Sequence, residues 1–315
     1  MIHDNLIFVN YQSRSGSTFL CRLLDEYDDI AVGIESGFPG FPFRVLPTLD
    51  DPILDEASLS AYLDELFDDV RFKEWGLDKN TTFKALSGKG YPLVFSDIFT
   101  YCFDKYFAGN TSSFRIHKSG FYTFCLDEVR KQFPQSKHIY IQRDPRGIFS
   151  SIKEADFLYD KKKGNIISFI NGYKKRTRVI NDNLGEKDFL LLRYEDLIDN
   201  QEKVITSVVD FIGLKNKSKS EDTSYFEKIP ENQRHLHNNV KGRSSTKSLD
   251  KWSTRLSYSE QAAINTFLKK ELSVFNYPTL KPQGFKPADS YNSIILWFHF
   301  YLSKLKTSTT KRSTP

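Results

Sequence analysis

Three segments of this 315-residue chain place cations, hydroxyls and glycine directly after an apolar run, a pattern suited to holding anions. In the first, Arg14, Ser15, Gly16, Ser17 and Thr18 follow the run Leu6–Val9 and lead into apolar residues at helical spacing. A strand that ends in a short glycine-containing loop and feeds a helix aims several backbone N–H groups, and the positive end of the helix dipole, at one point. Gly16 permits close approach of the backbone, the hydroxyls add donors and Arg14 supplies a permanent cation. The competing reading is that Ser15 or Ser17 only caps the helix. The loop lacks Gly-x-x-x-x-Gly-Lys-Ser/Thr, so the lysine and the magnesium-binding hydroxyl of nucleoside-triphosphate kinases are missing; a metal-free phosphate is preferred.

The second segment, "RDPRGIFSS" at 143–151, also follows an apolar run and opens a helix, with Arg143 at the strand end and Ser151 about two helical turns on. Its bland reading is a turn in which Asp144 caps the helix and pairs with Arg146. The third, "LLLRYEDL" at 190–197, ends a strand with Tyr194, a ring able to flank a base; Glu195 and Asp196 equally suit the first turn of a helix.

The elements that must carry these segments alternate. Strands are expected at Leu6–Asn10, 113–118, 137–142 and 188–193. Helices are expected through Leu20–Tyr27, Leu59–Val70, 96–108, 122–133, 165–183, the run holding Val204 to Ile212, and 258–274, where Ser257 and Glu260 form a capping-box signal. Residues 35–57, rich in glycine and proline, read as a long functional loop. Such alternation implies an α/β fold with a central, mostly parallel sheet flanked by helices. A domain over 1–277 and a C-terminal extension over 278–315 are expected.

Taken in order, "SRSGST", "IYIQRDPRGIFSS" and "LLLRYEDL" resemble the signature segments of sulfotransferases that use 3′-phosphoadenosine 5′-phosphosulfate (PAPS), over roughly residues 5–275. The resemblance implies a P-loop-like α/β domain, PAPS as co-substrate and no metal requirement. It implies that Arg14, Ser15, Gly16, Ser17 and Thr18 hold the 5′-phosphosulfate, that Arg143 and Ser151 hold the 3′-phosphate and that Tyr194 lies near the adenine. "KGRSSTKSLDKW" at 241–252 is similar to the family's late loop, which implies cofactor contacts from Arg243, Ser244, Ser245 and Lys251. Ser13 departs from the pattern, since many members have proline there.

Sulfuryl transfer needs an acceptor hydroxyl in line with sulfur, a base for its proton and cations for the leaving phosphate. Arg14 suits the last role. Glu35, 21 residues after Arg14, resembles the glutamate that follows the phosphosulfate loop in tyrosylprotein and several carbohydrate sulfotransferases. His117, in "FRIHK", resembles the base histidine of the cytosolic small-molecule enzymes. Arginine rather than lysine at position 14 favours Glu35, leaving Lys118 and Ser119 to the acceptor or sulfate region. A soluble, bacterial-type enzyme with a carbohydrate acceptor, glycan or glycolipid, is implied.

Composition limits the alternatives. Forty-five basic against 40 acidic residues give a net charge of +5, too small for a nucleic-acid binder, while 39% hydrophobic and 15% aromatic residues supply a core. Cys21, Cys102 and Cys125 have neither disulfide nor zinc spacing and fit a reducing, cytoplasmic location. No signal peptide and no run of the ~20 apolar residues needed to span a membrane is read. The stretch at 291–305, followed by basic residues, reads either as a helix packed on the domain or as an interfacial helix contacting the inner membrane face. A P-loop small-molecule kinase and a non-catalytic nucleotide- or glycan-binding protein are the competing functions.

Overall fold

The computed structural model describes residues 5–38, 46–155, 165–220, 225, 229 and 249–282. The expected helix at 291–305, and Arg243, Ser244 and Ser245, lie outside the described residues. Strand β1, Leu6–Tyr11, is buried along its whole length, which explains its apolar run Leu6–Val9: a parallel strand covered on both faces has no solvent side. It is the middle strand of a five-stranded sheet of order β2-β3-β1-β4-β5, with β2 at Ile30–Val32, β3 at Phe114–Lys118, β4 at Lys137–Gln142 and β5 at Phe189–Arg193. Every pairing is parallel. Ligands of such sheets bind beyond the carboxyl ends of the strands, and all three anion-suited segments begin there.

Register fixes what stands next to what. Phe8 lies opposite His117 and Val9 opposite Lys118, and the Ser119 N–H donates to the Val9 carbonyl at 3.1 Å. The end of β3 is thereby level with the start of the first loop.

The chain separates into two compact units, 1–142 with 183–243, and 143–182 with 244–315. In the first, helices α1 (Ser17–Leu24), α2 (Glu56–Asp68), α3 (Val70–Lys73), α4 (Lys79–Ser87), α5 (Phe95–Tyr106) and α6 (Leu126–Gln132) accompany the sheet. Its core is strongly aromatic: Phe8, Phe38, Phe72, Trp75, Phe95, Phe99, Phe103 and Phe133 form one buried cluster, with edge-on and tilted contacts such as Phe38 on Phe99 at 5.4 Å. The second unit holds α7 (Pro145–Glu154), most of α8 (Ile166–Asn183), α11 (Trp252–Arg255), α12 (Tyr258–Phe267) and α13 (Lys269–Val274). Helices α9 (Tyr194–Asp199) and α10 (Gln201–Ile212) follow β5 in the first unit.

Most elements fall where periodicity placed them, and the Ser257–Glu260 capping box is formed. The differences are local. The stretch 122–133 is a 3₁₀ turn at Tyr122–Phe124 followed by α6, and 258–274 is broken at Leu268 into α12 and α13. Tyr27 lies beyond the end of α1 and bridges to Lys219. The short helices α3, α4 and α11 gave no periodic signal, because four to nine residues make too few turns to show one.

Two imidazoles sit inside this core. Burial pushes the pKa of His117 and of His138 from 6.5 down to about 3, so both are neutral in the fold. Above pH 6.5 they are neutral in the folded and unfolded chain alike. Below it the unfolded chain takes up protons that the folded chain refuses, and stability falls with pH toward 3. Each imidazole contributes roughly 1.4 kcal/mol per pH unit over that window. Urea unfolding from pH 6.5 to 5 is expected to show this decline, about halved in His138→Gln; a flat profile would contradict it.

Candidate active site

The first loop is a tight turn built on two positive backbone angles. Arg14 has φ +73° and Gly16 φ +94°, and the Ser15 N–H closes the turn on the Gln12 carbonyl at 3.0 Å. A non-glycine residue at positive φ costs on the order of 1–3 kcal/mol, strain that collects at functional sites. Gly16 is the N-cap of α1 and no side chain caps that helix. By contrast, Asp55, Asp69 and Asp78 cap α2, α3 and α4 through their carboxylates. The reading of Ser15 or Ser17 as a mere cap therefore does not hold: the first amides of α1 are left for another acceptor. Ser15 Oγ is buried with no hydrogen-bond partner among the described residues. An anion accepting from that hydroxyl and these amides fits the donor set, and so does the 5′ end of PAPS.

Tyr194, the first residue of α9, closes one side of the loop. A Cβ at Gly16 would lie 2.3 Å from Tyr194 Cδ2 and 2.5 Å from Cε2, so the ring rests directly on the Gly16 backbone. Glycine is required there twice, for its φ and for the missing side chain.

Behind the loop is a charged network. Lys118 Nζ, almost fully buried, donates to Thr18 Oγ1 at 2.9 Å and stands 3.5 Å from Glu35 Oε2. Arg71 NH1, from α3, donates to Glu35 Oε1 at 2.8 Å and pairs with Asp69 at 3.6 Å. Tyr11 completes the group by hydrogen bonding to Glu35. Burial pushes the Glu35 carboxyl up, but Lys118, Arg71 and the Tyr11 hydroxyl together outweigh it and hold its pKa below the ordinary 4.5. Glu35 is thus ionised at neutral pH, and its side chain remains 29% exposed.

His117 points to the other face of β3. It is fully buried, with Nε2 hydrogen bonded to Ser36 Oγ at 2.9 Å and Nδ1 to the Tyr122 hydroxyl, and its ring packs edge-on against Trp75, Phe99 and Phe103. Both nitrogens are engaged. Of the network residues, Arg71 and Tyr11 gave no sequence signal.

In the second unit, Asp144 caps α7 by accepting from the Arg146 N–H at 2.8 Å, and pairs with the Arg146 guanidinium at 2.6 Å. Arg146 is buried, lies 4.3 Å from the centre of the Trp252 ring and donates to Asn265 Oδ1 at 3.3 Å. This pair is structural. A Cβ at Gly147 would meet Arg143 Nε at 3.1 Å, so the guanidinium lies over Gly147. Ser151, one turn further on the same helix, shares that face. The Tyr173 hydroxyl donates to the Arg143 carbonyl at 3.3 Å. Lys251, exposed, is the residue before α11, whose Trp252 covers Arg146. Among the described residues no group of three or more His, Cys, Asp or Glu side chains is placed to hold a metal ion. No helix among them is long and apolar enough to cross a membrane.

Gly16→Ala tests the loop. The new methyl group must displace the Tyr194 ring, and calorimetric affinity for adenosine 3′,5′-bisphosphate is expected to fall at least about tenfold, or ~1.4 kcal/mol. Affinity within twofold of the parent would show that the ring and loop do not form a nucleotide site.

The family model described as "Sulfotransferase family" matches residues 7–218, a span containing all of the sheet but the first residue of β1, and all three segments. Two solved structures share the fold. The sulfotransferase domain from the Synechococcus PCC 7002 olefin synthase is 19% identical, over 87% of this chain and 94% of that one, with TM-score 0.55. The sulfotransferase domain from the curacin biosynthetic pathway is 18% identical, over 87% and 98%, with TM-score 0.53. No curated protein matches the chain. With the family model spanning more than half of its length, the chain belongs to the sulfotransferase family and is a PAPS-dependent sulfotransferase.

Proposed function

We propose that this enzyme transfers a sulfuryl group from PAPS to a hydroxyl of a carbohydrate, as a glycan or glycolipid, with Glu35 as the base. The observation that carries the choice of base is the contrast between Glu35 and His117: one is ionised and partly exposed beside the donor loop, the other sealed in an aromatic core. A carboxylate already ionised can accept a proton from an acceptor hydroxyl. PAPS, when bound, supplies the sulfuryl group on a bisphosphate leaving group. As the acceptor oxygen bonds to sulfur and the sulfur–oxygen bond to the 5′-phosphate breaks, Glu35 takes the hydroxyl proton. Arg14 and the amides and hydroxyls of Ser15, Gly16, Ser17 and Thr18 stabilise the phosphate charge that develops.

Arg143 and Ser151 take the 3′-phosphate in this reading, Tyr194 a place by the adenine, and Arg243, Ser244, Ser245 and Lys251 further nucleotide contacts. Residues 1–277 form the sulfotransferase domain and 278–315 an extension that touches the inner membrane face when the acceptor is a glycolipid. The three buried, free thiols support a cytoplasmic site of action.

One observation favours a second acceptor class. Val70, adjacent to Arg71, is 68% exposed, and Phe121 is 43% exposed. Phe121 follows Gly120, whose missing side chain lets Tyr11 approach. Exposed apolar groups on both flanks of the Glu35 network suit a hydroxyl carried on an apolar body.

Two measurements test the proposal. Calorimetry should show tight, EDTA-insensitive binding of adenosine 3′,5′-bisphosphate and weak binding of Mg-ATP; the reverse preference would indicate kinase chemistry. Transfer of labelled sulfate from PAPS to panels of glycans, glycolipids and long-chain alcohols identifies the acceptor class. In that assay Glu35→Gln is expected to lower kcat at least about 10²-fold, with the parent's activity undiminished down to pH 5. Full turnover in Glu35→Gln would remove the base assignment, and absence of transfer to every panel would favour a binding protein.

A further inference from the structure

We propose that Lys118 is a positioning residue that couples the donor loop to the base, its single ammonium holding the Thr18 hydroxyl and the Glu35 carboxylate at once. The inference rests on Glu35 being the base and gives Lys118, which the sequence assigns only to the acceptor or sulfate region, a defined part in the reaction.

The geometry gives Lys118 no other role. Its side chain is about 95% buried, and its Nζ lies 2.9 Å from Thr18 Oγ1, 3.5 Å from Glu35 Oε2 and 5.9 Å from the centre of the Tyr11 ring. A buried ammonium is costly unless paired and hydrogen bonded, and here both partners belong to the reaction. Thr18 is in the first turn of α1, where the donor's 5′ end is read; Glu35 follows β2. One cation thus spans the two sides between which the sulfuryl group must pass. The arginine three residues earlier on the strand, Arg115, is unavailable for this: it pairs with Asp104 at 2.9 Å and stacks on Phe107.

Every group facing Glu35 must be counted before a pH effect is assigned to Lys118. Arg71 of α3 is the second cation and would remain. Tyr11 of β1 and Tyr225 are phenols held neutral by burial. Burial pushes the Cys21 thiol of α1 up to about 11, so it is neutral too. Lys118→Met therefore removes one of two charges that hold Glu35 below 4.5, while burial, which acts upward, stays.

The test uses the full chain and needs no acceptor. In Lys118→Met, the Glu35 carboxyl, followed by carbon-13 NMR and assigned with Glu35→Gln, is expected to titrate about one pH unit or more higher than in the parent. Affinity for adenosine 3′,5′-bisphosphate should fall about tenfold through the loss of Thr18 order. Lys118→Arg, which keeps the cation, should restore most of the Glu35 titration. Methionine fits the lysine's volume, and matched near-ultraviolet circular dichroism would verify the fold. A change in both readouts supports the coupling. A change in only one assigns Lys118 to that side alone and overturns it, as does a change in neither. Full turnover in Glu35→Gln would refute the base assignment while leaving both Lys118 shifts in place, so the two failures are distinguishable.

Discussion

The parallel pairing of β1 with β3 is the constraint on which the site depends. With Val9 opposite Lys118 and Phe8 opposite His117, the lysine reaches the loop after β1 and the histidine enters the aromatic core. Side chains alternate along a strand, so a slip of one residue would exchange the two. The imidazole would then stand at the loop, and an ammonium would be buried among Phe99, Phe103 and Trp75. The aromatic cluster resists that exchange, because the slip would withdraw the His117 ring from Trp75, Phe99 and Phe103 and leave an unpaired ammonium there. Hydrophobic packing on one face of the sheet thereby sets the electrostatics on the other.

The loop itself is organised by a second long-range contact. Tyr194 lies on Gly16, and the turn it covers leaves the amides of α1 uncapped and Ser15 Oγ unpartnered among the described residues. In the same unit Asp55, Asp69 and Asp78 cap α2, α3 and α4, whereas α6, α9 and α10, like α1, carry no side-chain cap. An uncapped, strained helix start costs stability, and binding an anion offsets it. The second anion-suited segment differs. There the helix is capped by Asp144, Arg146 is used to pack Trp252, and the Arg143 guanidinium lies over Gly147.

Local pattern made much of this legible. The buried strand Leu6–Tyr11, the loop after it, the Asp144–Arg146 pair and the Ser257 capping box each occupy a few consecutive residues and carry their own signal. What was not legible is long-range. Arg71 bonds Glu35 from 36 residues away, His117 meets Ser36 across 81 and Lys118 meets Thr18 across 100. None of these pairings has a periodicity or a motif, since each follows from how the sheet brings distant segments together. Glu35 and His117 are the clearest case: the sequence favours Glu35 only through Arg14, and the difference in their surroundings, one partly exposed and the other fully buried, is visible only in the fold.

The most direct measurement is a crystal structure of the full chain with adenosine 3′,5′-bisphosphate. The 5′-phosphate is expected on the backbone N–H groups of residues 15–18 with Thr18 Oγ1 in contact. A nucleotide bound with its 5′-phosphate away from the Arg14–Thr18 loop would contradict the assignment of that loop as the donor site.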